Sequence, residues 1–451
     1  MSLNVAQSKI NKMRIYIQQN QPFSAPIRWA FDLLATNKQT VFEYVSSVEN
    51  ADFRVSVYSD SDVYLDLDFY KKLNENAFNN LNDYFALNRI ISPQPPPRYP
   101  LSKAEYSLKR DYFAPIFYFI NCLQEYNLTE FDIHKRFPFP SSWQARTRTI
   151  TENTVQKLVN NFLENQPKFK NLATKSRESS VFLTHDIDGL YSAWKTEGLW
   201  AAKNLRVDKL LHLIYLEAIR RPAWFNIDAI LKLHSEYDIR STFFFLTEKG
   251  WNTEGVFHAD YDVTAPKIWQ LFDRIHAQKS EIGLHKSAFA DSNFNAEFNK
   301  LPSSDIKSNR YHFLKFQLPN AWQTMEKSGV QLDASLGFAE QYGFRNSYGL
   351  PFHPYDFEKK QAMNLLVTPL NIMDGTMECY MKMPTSEIAK TIISYLENNR
   401  KDAILSILWH NREFSPFRFE AYLDIYKQVL TYLQETKMKT VTASEIVKMY
   451  G

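Results

Sequence analysis

The sequence predicts an α/β protein in two parts: a run of alternating strands and helices behind a smaller mixed α/β segment. Three observations carry that prediction. From residue 180 onward, short apolar runs alternate with amphipathic helical patterns, giving about seven β/α units and either a parallel barrel or a doubly wound sheet. Before residue 170, period-two and helical stretches are mixed without that alternation. The 451 residues are too many for one core, so two or three domains are expected.

Taken in order, "PFSAPIRWAFDLLATN" reads as a helix. "FRVSVYS" and "DVYLDLDFY" alternate with period two and read as paired strands. "SPQPPPRYPLS", residues 92–102, admits neither helix nor central strand and reads as an exposed extended connection. A helix in "EYSLKRDYFAPIFYFINCLQEYN" follows, then a polar and aromatic loop, "DIHKRFPFPSSWQA", and a charged helix, "TVQKLVNNFLENQPKFKN". The domain boundary is placed in "KNLATKSRE", dividing the chain into 1–175 and 176–451. Beyond it, strands are expected at Val181–Thr184, Ser241–Thr247, Glu281–Leu284, Gln331–Ala334, Asn364–Thr368, Ala403–Trp409 and Thr440–Thr442. Helices fill most gaps, among them "PKIWQLFDRIHAQK" with Pro266 in its first turn, "TSEIAKTIISYLENN" and "FEAYLDIYKQVLTYLQETK".

Composition excludes several classes. Glycine is scarce, at 11 residues, and neither a P-loop nor a dinucleotide fingerprint occurs. Net charge is +3 without a long Lys/Arg run, so nucleic acid is not an expected partner. The two cysteines, Cys122 and Cys379, lie far apart, which fits a reducing compartment better than a disulfide framework. The N-terminal stretch lacks the apolar core of a secretory signal, and no apolar run is long enough for a transmembrane segment. A cytoplasmic location is therefore expected.

Chemistry in both candidate folds sits at the C-terminal ends of strands. Asp186 and Asp188 end the first strand in "VFLTHDIDGL", beside His185, and two carboxylates so close need a cation between them or a shared proton. "EIGLHKS" brings Glu281 and His285, and the stretch "NRYHFLKF", read as helical, brings Arg310 and His312. "LDASLGF" supplies Asp333, and the loop "GFRNSYGLPFHPYD" supplies Arg345, His353 and Asp356. "AILSILWHN" ends in Trp409, His410 and Asn411. Aspartate with neutral histidine and little cysteine suits a divalent transition metal, zinc first among them. A metal with an open position, a second carboxylate as base and a separate histidine as acid are the parts of an amide or ester hydrolase.

In this order, "FLTHDIDG", "STFFFLTE", "EIGLHKSAFA", "NRYHFLKF", "LDASLGFAEQYGFR" and "LWHN" resemble the motifs of the polysaccharide deacetylases. This is carbohydrate esterase family 4, with its nodulation-deacetylase homology domain, and the likeness is to an outlying bacterial branch that carries an extra N-terminal module. The resemblance covers about 178–451, and residues 1–175 would be that module. It implies a distorted (β/α) barrel of about seven strands and metal-dependent removal of acetyl groups from N-acetylated sugars. It also implies Asp186 as base, Asp188 and His285 as metal ligands, Arg310 steadying the base, Asp333 orienting the catalytic histidine and His410 as general acid.

One departure matters. The second motif of the family reads His-[Ser/Thr]-x-x-His, whereas "HKSAF" puts Lys286 and Phe289 at its second and last positions. His312 is the expected replacement, completing an Asp188–His285–His312 triad; a weak or absent two-ligand site is the competing expectation. Trp409, Phe352 and Tyr355 are expected either to line the sugar or acetyl pocket or to pack in the core, and Arg345 and His353 to touch substrate hydroxyls or an acidic sugar. His134 and Arg136 are read as an interdomain contact or a structural turn. The rival readings are a non-catalytic deacetylase-like binding protein and a metal-independent hydrolase of another C–N bond.

Overall fold

The computed structural model describes residues 12–78, 81, 109–126, 128–288, 293–302 and 306–451. The proline-rich stretch 92–102 and Phe289 lie outside the described residues. The chain forms two compact units, and each is assembled from separate segments. The smaller takes Met1–Gln124, Lys157–Ser176 and Tyr355–Ala362; the larger takes Glu125–Gln156, Arg177–Pro354 and Met363–Gly451. A single cut at 175/176 therefore does not describe the division: Glu125–Gln156 clusters with the larger unit and Tyr355–Ala362 with the smaller.

In the smaller unit, strands β1 (Met13–Ile17), β2 (Phe42–Val45) and β3 (Phe53–Val55) form a parallel sheet in the order β2-β1-β3. Helix Ser24–Lys38 connects β1 to β2, and its Phe31 ring meets Phe42 and Phe53 edge-on at 5.6 and 5.9 Å. "DVYLDLDFY" does not supply a long strand. Its second half opens the helix Leu67–Asn74, because the Asp66 carboxylate caps the Phe69 N–H and Phe69, Tyr70 and Leu73 bury one helical face. A short hairpin, β9 (Tyr355–Asp356) with β10 (Gln361–Ala362), belongs to this unit as well.

The larger unit is a closed barrel of seven parallel strands. They are β4 (Ser180–Ile187), β5 (Thr242–Leu246), β6 (Glu281–Lys286), β7 (Ser308–Tyr311), β8 (Leu332–Leu336), β11 (Leu366–Met373) and β12 (Ile404–Leu408). Helices follow most strands, including the expected Pro266–Ala277, Thr385–Asn398 and Tyr422–Glu435. Strands β4, β5, β8 and β12 are buried along nearly their whole length, as parallel strands covered on both faces must be. Gly283 sits at a crowded point between neighbouring strands. A Cβ there would stand 2.5 Å from the Phe244 ring and 2.6 Å from Ser308 Oγ, so only glycine fits without a shift.

Two expected elements exchange roles. "NRYH" is not helical but forms β7, pairing with β6 at His285↔Arg310. Thr440–Thr442 is not a barrel strand: Thr440 makes one bridge to Val181, and Thr442 then caps the helix Ala443–Tyr450 with Glu445. Among the described residues, no helix is long and apolar enough to cross a membrane.

Candidate active site

The C-terminal ends of the barrel strands bring together three aspartates, an arginine and three histidines. Along β4, period-two alternation puts Thr184 and Asp186 on one face. Arg310 on β7 reaches both. Its Nη1 donates to Thr184 Oγ1 at 2.6 Å and to Asp186 Oδ1 at 3.1 Å, while Nε donates to the Ala334 carbonyl at 2.9 Å. The guanidinium is fully buried over the Phe244 ring, 4.8 Å from its centroid. Asp186 thus has one oxygen engaged by a fixed cation.

Asp188 follows just past the end of β4. Its Oδ1 lies 3.3 Å from His285 Nε2 and 3.8 Å from His312 Nε2, and its Oδ2 lies 3.7 Å from His410 Nε2. His285 Nδ1 faces the Arg310 carbonyl at 2.9 Å, which places its proton on Nδ1 and leaves the Nε2 lone pair for the centre. That lone pair faces Asp188 and also Asp186 Oδ2 at 3.6 Å. A lone pair aimed at two carboxylates is repulsive, so a proton or a metal cation must lie between them. Burial opposes a charge on His285, but the two carboxylates outweigh it and hold its pKa above the ordinary value. Burial likewise opposes charge on Asp188, yet its hydrogen bond to His285 and the charge on His410 hold it well below the usual carboxylate range.

Burial drives the His312 pKa well down, which keeps its imidazole neutral, the form that ligates metal. Asp188, His285 and His312 each offer a ligand atom, and these atoms lie within 4.8 Å of one another. Asp188 Oδ1 and His312 Nδ1 are buried without a hydrogen-bond partner among the described residues. The donor set and the unpartnered Asp188 Oδ1 fit a divalent transition metal with one carboxylate and two imidazole ligands. Lys286, at the position where the family motif has a hydroxyl residue, is buried and paired with Glu297 Oε1 at 2.6 Å.

His410 ends the loop after β12. Its Nδ1 lies 2.7 Å from Asp374 Oδ1, and its backbone N–H donates to Asp374 Oδ2. Burial opposes the imidazolium, but Asp374 outweighs it and lifts the His410 pKa to about 9. This overturns the expectation that Asp333 orients His410. Asp333 instead accepts from Asn309 Nδ2 at 3.1 Å and Ser335 Oγ at 2.6 Å, tying β7 to β8. Asp374 is a residue that sequence reasoning missed. The expected strand Asn364–Thr368 stopped short of Pro369, whereas β11 runs on to Met373 through register shifts around that proline and delivers Asp374 at its end. In the metal-free protein, Asp374→Asn should lower the His410 pKa toward the ordinary imidazole value of about 6.5. Asp333→Asn should leave it near its wild-type value. Histidine ring NMR across a pH series reads both.

The five candidate substrate residues are not brought to the centre. Trp409 is buried against Tyr422 and Tyr426, at ring distances of 5.8 and 5.3 Å. Arg345 is fully buried in a two-pronged pair with Glu125 at 2.9 and 2.7 Å. Phe352 pairs with Val367 near the start of β11 and packs on Trp322. His353 lies between the Leu365 and Tyr450 carbonyls, at 3.1 and 3.2 Å. Tyr355 belongs to the smaller unit, where it packs on Phe117. Burial of aromatic area and pairing of a buried charge explain these positions. His185 is also structural: its Nδ1 meets the Trp409 carbonyl at 2.7 Å, and burial lowers its pKa to about 4.

No protein-family model matches the chain, and no curated protein matches it. Several solved structures do. A protein from Mycobacterium smegmatis assigned to the polysaccharide deacetylases is 10% identical with a TM-score of 0.38, over 61% of this chain and 91% of that one. A polysaccharide deacetylase from Bacillus cereus is 14% identical with a TM-score of 0.28, over 59% and 94%. The peptidoglycan deacetylase PdaC from Bacillus subtilis is 16% identical with a TM-score of 0.25, over 60% and 92%. TM-scores this low do not decide a fold, which the strand pairing of the barrel already defines.

Proposed function

We propose that this chain is a metal-dependent hydrolase of the polysaccharide deacetylase type, which removes acetyl groups from N-acetylated sugars of a polysaccharide or its precursor. The observation that carries the reading is a convergence at one end of one barrel. The arginine-held Asp186, the ligand set Asp188–His285–His312 and the Asp374–His410 pair all meet there.

A divalent ion, zinc first among candidates, would be held by Asp188, His285 and His312, and would supply Lewis-acid polarisation of the amide carbonyl and a more acidic water. The chain's own groups do the rest. Asp186 accepts the water proton on Oδ2, since Oδ1 is held by Arg310. Arg310 fixes the rotamer of that carboxylate from inside the barrel. His410 carries a proton on Nε2 for the departing sugar nitrogen, and Asp374 fixes the ring through Nδ1. Burial of these groups strengthens each charge interaction by excluding water.

The test joins metal analysis to product release. Purified protein should carry about one equivalent of a divalent metal per triad of this kind. It should liberate acetate from at least one of a panel of N-acetylated oligosaccharides, and chelation should stop it. Acetate release that chelation leaves untouched would remove the metal from the mechanism.

A further inference from the structure

Of the three helices between β4 and β5, the first two turn an apolar face to solvent. In the second, Val207–Ala218, the residues Val207, Leu211, Ile214 and Tyr215 recur at the spacing of one helical stripe, the pattern that normally packs on a core. Here the stripe lies outside. Leu211 is 61% exposed, Ile214 58% and Tyr215 60%, and Leu213 is the buried residue of that helix. The first helix, Ala193–Lys203, adds exposed Trp194 and Leu199, and Leu205 between the helices is 86% exposed. Apolar exposure on this scale is more than the isolated surface residues every protein shows. Basic residues adjoin it: Lys195, Lys203, Arg220 and Arg221 are exposed, while Arg206 is paired with Asp208 at 2.9 Å. Of the acids on the hairpin, Glu197 is buried, leaving Asp208 and Glu217.

The base of this hairpin is fastened at the catalytic end of the barrel. The Asp260 carboxylate accepts the N–H groups of Leu190, Tyr191 and Ser192, which link Asp188 to the first helix. Asn411, next to His410, donates to the Gly189 carbonyl at 2.9 Å. Lys209 Nζ donates to the Pro416 carbonyl at 2.8 Å, and the His212 ring meets Phe417 at 5.3 Å. The hairpin is therefore held to the same two loops that supply Asp188 and His410.

We propose that this hairpin docks on an anionic lipid surface, with its apolar stripe at the acyl-chain boundary and its lysines and arginines against the headgroups, and that the adjacent site takes a saccharide carried on a lipid. The second clause rests on the hydrolase reading above; the first does not. An amphipathic helix with large exposed aliphatic and aromatic residues and adjoining cationic residues is the form that lies in a membrane interface. A second copy of the chain is the poorer occupant, because two-fold pairing would set the basic residues of each copy against those of the other.

The test is sedimentation of the full chain with phosphatidylcholine vesicles, with and without phosphatidylglycerol. Binding is expected to need the anionic lipid and to weaken with salt. Leu211→Glu together with Ile214→Glu should abolish it, with an unchanged circular dichroism spectrum because both side chains point outward. Lys203→Ala and Arg221→Ala should each weaken it about fivefold. Asp186→Asn should bind vesicles as the wild type does, so failure of the hydrolase reading leaves this result standing. No sedimentation with anionic vesicles overturns the proposal, and a dimer that Leu211→Glu dissociates would assign the face to a second copy instead. For the second clause, acetate release should be faster from a lipid-anchored N-acetylated saccharide in those vesicles than from the free saccharide. Equal rates overturn it.

Discussion

Asp186→Asn is expected to reduce metal-dependent acetate release by about four orders of magnitude while leaving bound metal at the wild-type level. The asparagine keeps the shape of the side chain and can still accept from Arg310 Nη1, now 3.1 Å from Oδ1, so the barrel interior should hold. What it loses is the basic oxygen, Oδ2, which faces His285 Nε2 at 3.6 Å. Asp186 lies outside the set whose donor atoms cluster within 4.8 Å. Metal content by atomic absorption and acetate release by a coupled assay separate the two roles. A variant that stays active would show that another group takes the water proton, and one that loses its metal would move Asp186 into the ligand set.

His312→Ala is expected to weaken metal binding by more than about a hundredfold, beyond the range for losing a group that only supports a ligand. Two donors, Asp188 and His285, would remain. The histidine packed against it, His258, is not free to step in. His258 has its ring 5.1 Å from that of His312, but its Nε2 accepts the Ala288 N–H at 2.9 Å. Lys286 is committed to Glu297. Isothermal titration with zinc, checked by thermal unfolding in chelator, distinguishes a lost ligand from a lost fold. If His312→Ala binds zinc with wild-type affinity and stoichiometry, the third ligand is elsewhere.

Much of this centre is legible in the sequence. The rule that barrel chemistry gathers at strand C-termini points to Asp186, Asp188, His285 and His410, because each follows an apolar run with no other reason to stop in an acid or an imidazole. The departure at "HKSAF" likewise directs attention to His312. The failures have local causes. "NRYHFLKF" reads as helical, yet residues two apart share a face only on a strand. As part of β7, Arg310 turns toward Asp186, and His312 just beyond it turns toward Asp188. Pro369 hides the second half of β11 and with it Asp374. Residue type alone suggests a pocket role for Arg345, Trp409 and Phe352, whereas each is buried, against Glu125, Tyr426 and Trp322.

By itself, the sequence determined the α/β class, the repeating unit and the chemical identity of most groups at the strand ends, because hydrophobic period and residue type are local properties of the chain. Only the tertiary structure decided which carboxylate holds which histidine. His410 meets Asp374 and not Asp333 because the barrel closes β11 against β12, and that neighbour relation is set by the sheet order. The same closure brings β7 to Asp188 from more than a hundred residues away along the chain, so His312 can stand where the second-motif loop would otherwise have to supply a ligand.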